Sequence, residues 1–231
     1  MALFALADLH LSLNADKAMD VFPGWENYVS RIERNWRAVV GEGDTVVIPG
    51  DLSWAMRLED AAADFAFLDA LPGHKLVLKG NHDLWWSSMT KMNAFLTAHG
   101  FTTVRFLNND AALVEGQVVC GTRGWLIEES GTDSKLIKRE ALRLEMSLQA
   151  GRKLGEDPVV FLHYPPITRD ARCEEILSVL REYGVRRVYY GHIHGTSAVN
   201  AFCGVADGIT FSLISADRVD FTPVPVVKDK I

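Results

Sequence analysis

Five short apolar runs in this sequence each lead into a residue that can bind a metal ion. Met1 to Ala7 ends in Asp8-Leu9-His10, and Thr45 to Pro49 ends in Gly50-Asp51. Leu76-Val77-Leu78 leads to Gly80-Asn81-His82-Asp83, and Val159 to Leu162 leads to His163. Val188-Tyr189-Tyr190 ends in Gly191-His192-Ile193-His194. Carboxylate together with imidazole suits Fe, Mn or Zn, while Asn81 offers only a weak neutral oxygen. Taken singly, most of these residues have ordinary readings. Asp8 can cap a loop with His10 incidental, Asp51 can form an Asx-turn, and His163 can be a satisfied loop histidine fixed by Pro165-Pro166. Two histidines two apart after a strand seldom serve packing. His74, in a Pro-Gly-His turn, and His99, near a helix C-terminus where the macrodipole favours it, stand outside the pattern.

The joint pattern supports a dinuclear site. Asp8, His10, Asp51 and one histidine of the last pair make one ligand set; Asp51, Asn81, His163 and the other histidine make a second. A shared carboxylate can hold two cations about 3.5–4 Å apart, the spacing that suits in-line phosphoryl displacement. A water bridging two such ions ionises near neutral pH and becomes the nucleophile. His82 is left unligated beside the site, placed to protonate the leaving oxygen as a general acid.

The elements that must position these residues alternate along the chain. A polar loop over Ser12–Asp20 and Pro23-Gly24 precedes an amphipathic helix with Trp25, Tyr28, Ile32, Trp36 and Val39 on one face, closed by Gly41 and Gly43. After the strand to Ile48, a helix over about 58–70 carries Leu58, Ala62, Phe65 and Leu68, and Pro72-Gly73 stops it. The Leu76 strand leads to a helix that begins near Ser87 or Ser88, with Met89, Met92, Phe95 and Leu96 as its stripe and Gly100 at C′. Strand–helix alternation over 45–100 favours parallel pairing with right-handed crossovers. Thr102–Phe106, Ala111–Glu115 and Gln117–Gly121 read as an antiparallel meander. A long helix over about 134–154 returns to the His163 strand, and a helix over Cys173–Tyr183, ended by Gly184, feeds the Tyr189 strand. Ile209–Leu213 and Arg218–Thr222 read as a hairpin around Ala216-Asp217. Five ligand-bearing strands ending at one edge is how an open α/β sheet builds a site.

The whole chain, residues 1–231, reads as a single domain, long enough to bury a core without staples. Cys120, Cys173 and Cys203 are scattered and odd in number, which argues against a disulfide framework and for a reducing compartment. The first seven residues lack a basic lead and end at Asp8, so they read as a buried strand and not as a signal core. No run has the length of a membrane span. A cytoplasmic protein is expected. The net charge of −6 weighs against general nucleic-acid binding through phosphate neutralisation, while acidic groups gathered in a cleft suit divalent cations.

The order Asp-x-His, Gly-Asp, Gly-Asn-His-Asp, His, Gly-His-x-His, spread over residues 8–194, resembles the calcineurin-like metallophosphoesterase superfamily. The resemblance implies a four-layer α/β/β/α sandwich, two mixed β-sheets between helices, with the metals at the strand C-terminal ends. It implies two divalent or trivalent ions (Mn, Fe or Zn), the first on Asp8, His10, Asp51 and His194, the second on Asp51, Asn81, His163 and His192, and His82 as the catalytic acid. The chain departs from the Ser/Thr protein phosphatases of that superfamily. Gly50-Asp51-Leu52-Ser53-Trp54-Ala55-Met56 lacks both the Asp that orients the catalytic histidine and the phosphate-gripping Arg, which leaves Asp83 as the candidate to tune His82. Ala7-Asp8-Leu9-His10-Leu11 is similar to the UDP-diacylglucosamine hydrolases of the lipid A pathway, but those carry Arg where His82 stands. The superfamily's DNA-repair nucleases are larger and need a DNA surface. The closest likeness is to its compact bacterial phosphohydrolases.

The expected partner is therefore a small-molecule phosphate ester, monoester or diester, with a cyclic-nucleotide or nucleotide phosphodiesterase as one form. A non-catalytic scaffold, like the retromer subunit of this fold, is the alternative from another class; it usually lacks ligands or the acid histidine, and none is lost here. Trp54, Trp85, Trp86 and Trp125 follow strand ends and either anchor loops in the core or wall the site. Trp54 is the candidate for substrate contact. Arg123 is the candidate replacement for the phosphate-binding arginine, with Lys79 and Arg57 as rivals. The loops at 11–24, 53–57 and 122–133 would decide specificity. The oligomeric state is not legible in the sequence.

Overall fold

The structure is a computed structural model and describes residues 1–17, 19–125 and 134–227. Among these, eleven strands form two sheets: β1 (Leu3–Ala5), β2 (Thr45–Pro49), β3 (His74–Leu78), β4 (Val104–Phe106), β5 (Ala111–Val114), β6 (Gln117–Thr122), β7 (Pro158–Leu162), β8 (Arg187–Tyr190), β9 (Gly204–Ala206), β10 (Ile209–Leu213) and β11 (Val224–Pro225). The first sheet has the order β11-β1-β2-β3-β4 and the second β5-β6-β7-β8-β10-β9. Each is mixed. In the first, β1 to β4 run parallel and β11 antiparallel; in the second, β6, β7, β8 and β10 are parallel, with β5 and β9 antiparallel at the edges.

Alternation along the strands explains the four layers. Val46 and Ile48 point to a core shared with α1 (Tyr28–Val39), α2 (Ala62–Asp69) and α3 (Met89–His99), while Val47 between them points to the other sheet. In β7, Val160 and Leu162 face α4 (Ser134–Arg152) and α5 (Glu174–Glu182), whereas Val159 and Phe161 enter the layer between the sheets. A strand buried on both faces reads as a continuous apolar run, which is why these strands were visible in the sequence.

The helices match their periodicity with small adjustments. Ser88 caps α3, accepting from the Lys91 N–H, and Gly100 closes it at φ 71°. In α1, Tyr28, Ile32 and Trp36 are buried as expected. Val39, however, is 40% exposed, and Val40, just past the helix end, takes its place in the core.

Two expectations fail, both where the chain changes sheet. The meander does not form. β4 pairs parallel to β3 in the first sheet, and the chain then crosses through 107–110 to begin the β5–β6 hairpin in the second. The tail hairpin is also displaced. β10 pairs antiparallel with β9 around Asp207-Gly208, both at positive φ as a type I′ turn requires. Residues 216–219 form a 3₁₀ turn, after which β11 joins the first sheet. Between these, Ala7 and Ser215 form a bridge, with Ala7 N–H donating to Ile214 O at 2.9 Å and Ala216 N–H to Ala7 O at 2.9 Å. The two sheets are stitched together at the base of the ligand-bearing strand ends.

Candidate metal centre

Asp8 and His10 follow β1, Asp51 follows β2, and Asn81 follows β3, all from the first sheet. His163 follows β7, and His192 and His194 follow β8, from the second. Four of these residues, Asp8, His10, Asp51 and His192, have left-handed backbones at φ 58°, 47°, 53° and 70°. Non-glycine residues held there cost about 1–3 kcal/mol each, and such strain collects where geometry serves a site. Backbone pairing holds the turns in place. Asp8 N–H donates to Gly50 O at 3.1 Å, His10 N–H to Asp51 O at 2.9 Å, and His192 N–H to the Asp8 carboxylate at 2.9 Å. Two glycines permit the approach: a Cβ on Gly80 would collide with the Asp51 carboxylate and amide, and one on Gly191 would lie 2.6 Å from Asp8 Oδ2.

The side chains converge. One ligand atom each from Asp8, Asp51 and His163 lies within 4.8 Å of the others, and all three residues are buried. His163 Nε2 is 3.5 Å from Asp51 Oδ2 and Nδ1 is 3.7 Å from Asp8 Oδ1. Nδ1 also lies 3.2 Å from the Pro49 carbonyl; the ring's single N–H placed there leaves Nε2 free to bind a cation, and placed on Nε2 it donates to Asn81 Oδ1. Asn81 Oδ1 is 2.6 Å from His163 Nε2 and 2.9 Å from His192 Nδ1. His10 Nε2 is 3.8 Å from Asp51 Oδ2, and the His194 ring packs edge-on to His10 at 5.3 Å. Every residue assigned to metal by the sequence is therefore at this one place.

The electrostatics are those of a cation site. Asp8 is 0% and Asp51 1% exposed, two carboxyls side by side with no Lys or Arg paired to either among the described residues. Burial pushes both up, Asp8 well above the usual carboxylate range with Asp51's charge adding to it, and Asp51 to about 6. Burial holds the imidazoles neutral, His163 and His192 down to about 3 and His10 well below its ordinary value. Neutral imidazole is the ligand form. Most telling, both nitrogens of His10 and Asp51 Oδ2 are buried without a hydrogen-bond partner. Buried polar atoms are almost always satisfied, and a cation here would take one His10 nitrogen together with Asp51 Oδ2.

The calcineurin-like phosphoesterase family matches residues 1–196, which include every candidate ligand named above. The chain belongs to that family. No curated protein matches it. Among solved structures, it is similar to AQ665 of Aquifex aeolicus, a protein of unknown function, at 14% identity and TM-score 0.54, covering 97% of this chain and 95% of that one. It is also similar to the phosphopantetheinyl hydrolase PptH of Mycobacterium tuberculosis, at 15% identity and TM-score 0.52, covering 99% and 96%. At these identities the likeness shows the fold.

Around the calcineurin-like cluster, His82 sits at the rim. Its N–H donates to Asp51 Oδ1 at 2.8 Å, and its half-buried ring lies 4.4 Å from Trp54 and 5.8 Å from His10. Trp54 also stacks on His10 at 4.8 Å, and the Lys17 ammonium lies over its ring, 3.4 Å from the centroid. Trp54 is thus at the site, whereas Trp85 is buried in the core and Trp86 packs against it. Trp125 lies 5.4 Å from Tyr164, whose own ring is 4.3 Å from His192.

Asp83 does not orient His82. Its carboxylate accepts from the backbone N–H groups of Asp51 (2.9 Å), Leu52 (2.9 Å), Ser53 (3.3 Å) and Gly80 (2.7 Å), and from the Trp85 indole (3.0 Å). It ties the turn after β2 to the turn after β3. Arg123 places its carbonyl toward the site, accepting from His163 N–H at 3.1 Å, while its guanidinium turns to Glu140 at 3.3 Å. His74 begins β3, and His99 stacks on Phe101 at the end of α3, both outside the cluster. The 122–133 loop lies outside the described residues from 126 onward. Sequence reasoning missed Lys17, which has no motif signal.

Proposed function

We propose that this calcineurin-like phosphoesterase is a dinuclear-metal phosphohydrolase acting on a small-molecule phosphate ester. Asp8, His10, Asp51 and His194 hold one ion; Asp51, Asn81, His163 and His192 hold the other. The carrying observation is His10, buried with neither ring nitrogen satisfied, beside the equally unsatisfied Oδ2 of Asp51. When bound, such ions supply Lewis acidity toward phosphoryl oxygens and generate a hydroxide nucleophile near neutral pH.

The chain's own residues do the rest. The Asp83 bonds hold Asp51 and Gly80 in register, so that the shared carboxylate and Asn81 meet the histidines of the other sheet. His82 is the general acid, delivering a proton to the leaving oxygen from the rim. Burial lowers its pKa, and a substrate phosphate beside it favours the protonated form it needs. Trp54 supports the His82 ring and forms an apolar wall for the leaving group. Arg123 contributes positive charge behind His163.

Hydrolysis of nitrophenyl phosphate and bis-nitrophenyl phosphate by metal-stripped protein, with and without Mn²⁺, tests this reading. Turnover is expected only with metal. Preference for the diester assigns a phosphodiesterase, and preference for the monoester a phosphatase. His82→Ala should retain its metals and lose about 10²–10⁴-fold in turnover. A fully active His82→Ala would remove the proposed acid.

A further inference from the structure

A second charged pocket lies behind the ligand-bearing turns. Lys79 at the end of β3, Asn108 and Asn109 at the crossing between sheets, Thr122 and Arg123 at the end of β6, and Arg143 on α4 line a cavity of about 60 Å³. Its charges do not balance. The carboxylate paired there among the described residues is Glu140, 1% exposed, which accepts from Arg123 at 3.3 Å, Arg143 at 2.5 Å and Thr122 at 3.4 Å. Lys79 lies in the field of both guanidinium groups. It has no carboxylate within ion-pair distance among the described residues, so three cations face two carboxylates, Glu140 and the Asp83 already bonded to backbone N–H groups. Arg123 Nε is buried and donates to nothing. Like charges gathered at a partly desolvated place repel, and an orphaned buried donor adds to the cost. Entry of an anion relieves the repulsion.

We propose that this pocket binds a tetrahedral oxyanion, either inorganic phosphate or the phosphoryl end of a larger molecule. The excess of positive charge suits an anion. The groups come from β3, the crossing between sheets, β6 and α4. Arg123 and Arg143 supply planar guanidinium donors, Lys79 a point charge, and the asparagine amides neutral donors. The cavity has room for an ion of a few heavy atoms and not for a nucleoside. None of its lining residues is a candidate metal ligand, so anion binding there does not depend on the metal centre or its turnover.

The test is thermal unfolding of the metal-free full-length protein titrated with inorganic phosphate at low ionic strength. Wild type should show a saturable rise in Tm. Lys79→Met should unfold at a higher temperature than wild type without phosphate, because the unpaired cation is gone, and its apparent phosphate affinity should fall at least tenfold. Lys79→Gln gives the same comparison should the methionine variant fail to fold. A response to glycerol phosphate equal to that of phosphate assigns the pocket to the phosphoryl end of a larger molecule; a response to phosphate alone assigns it to the free ion. No saturable rise in wild type, or an undiminished rise in both Lys79 variants, overturns the proposal. Metal being absent, that failure leaves the phosphohydrolase reading standing, and inactivity toward nitrophenyl esters leaves this pocket standing.

Discussion

A buried imidazole with neither nitrogen satisfied is costly, and His10 is kept in that condition beside two buried carboxyls. The neighbouring groups predict how acid affects metal binding. Asp51 is pushed up to about 6, so below that pH a cation must displace its proton; His163 and His192, held near 3, carry none to displace. Metal affinity should therefore fall about tenfold per pH unit per displaced proton as pH drops through 6, with protons lost from carboxyls. Calorimetric Mn²⁺ titration between pH 5 and 8, in buffers of differing ionisation enthalpy, measures both affinity and proton release. Affinity flat from 8 to 5 would contradict it. At this scale the sequence was readable where identity and spacing carry the chemistry, as in Asp8-x-His10 and His192-x-His194. It was not readable where a side chain's partner is set by the fold. Asp83 adjoins His82 in sequence but serves the backbone of Asp51, Leu52 and Ser53. Arg123 meets Glu140 only because β6 packs against α4.

Elements reach the site through their C-terminal turns, and the turns after β2 and β3 share the Asp83 carboxylate. Asparagine there has a single acceptor oxygen, so part of this set of five N–H donors would lose its partner in a buried place. Asp83→Asn should cost about 3 kcal/mol, read as a lower denaturant midpoint at unchanged m-value, and should weaken metal binding because Asp51 and Asn81 lose their register. A change within 0.5 kcal/mol would show that the carboxylate is not the clamp. Helices and buried parallel strands were legible because periodicity and apolar runs survive without tertiary context. The edge strands were not. A turn signal states that the chain reverses, not which sheet the next strand joins, and the β4–β5 connection joins different sheets. The Asp207-Gly208 hairpin did carry a signal, two residues suited to positive φ, but β9 is only three residues long and not strongly apolar.

The whole molecule is two sheets whose ligand-bearing ends meet, with Asp8, Asp51 and Asn81 from one and the histidines after β7 and β8 from the other. A cation shared by these residues also fastens the sheets to each other. Saturating metal at about 1,000 times its Kd adds about 4 kcal/mol, which for a chain of this size is about 8–16 °C in Tm. Chelation should reverse the rise. The four-layer arrangement was reached through resemblance, since residues 45–100 alone fit a parallel sheet in several folds; the order of strands across two sheets is a property of long-range packing that no local window contains. No helix among the described residues is long and apolar enough to cross a membrane. The central claim, a two-ion centre with Asp51 common to both sites, is tested most directly by adding Mn²⁺ to metal-free protein while following bound metal and turnover of both nitrophenyl esters together. The account predicts two ions per chain, turnover that appears as the second binds, and loss of both in Asp51→Asn. Full turnover with one ion bound, or Asp51→Asn that keeps two ions and its activity, would contradict it.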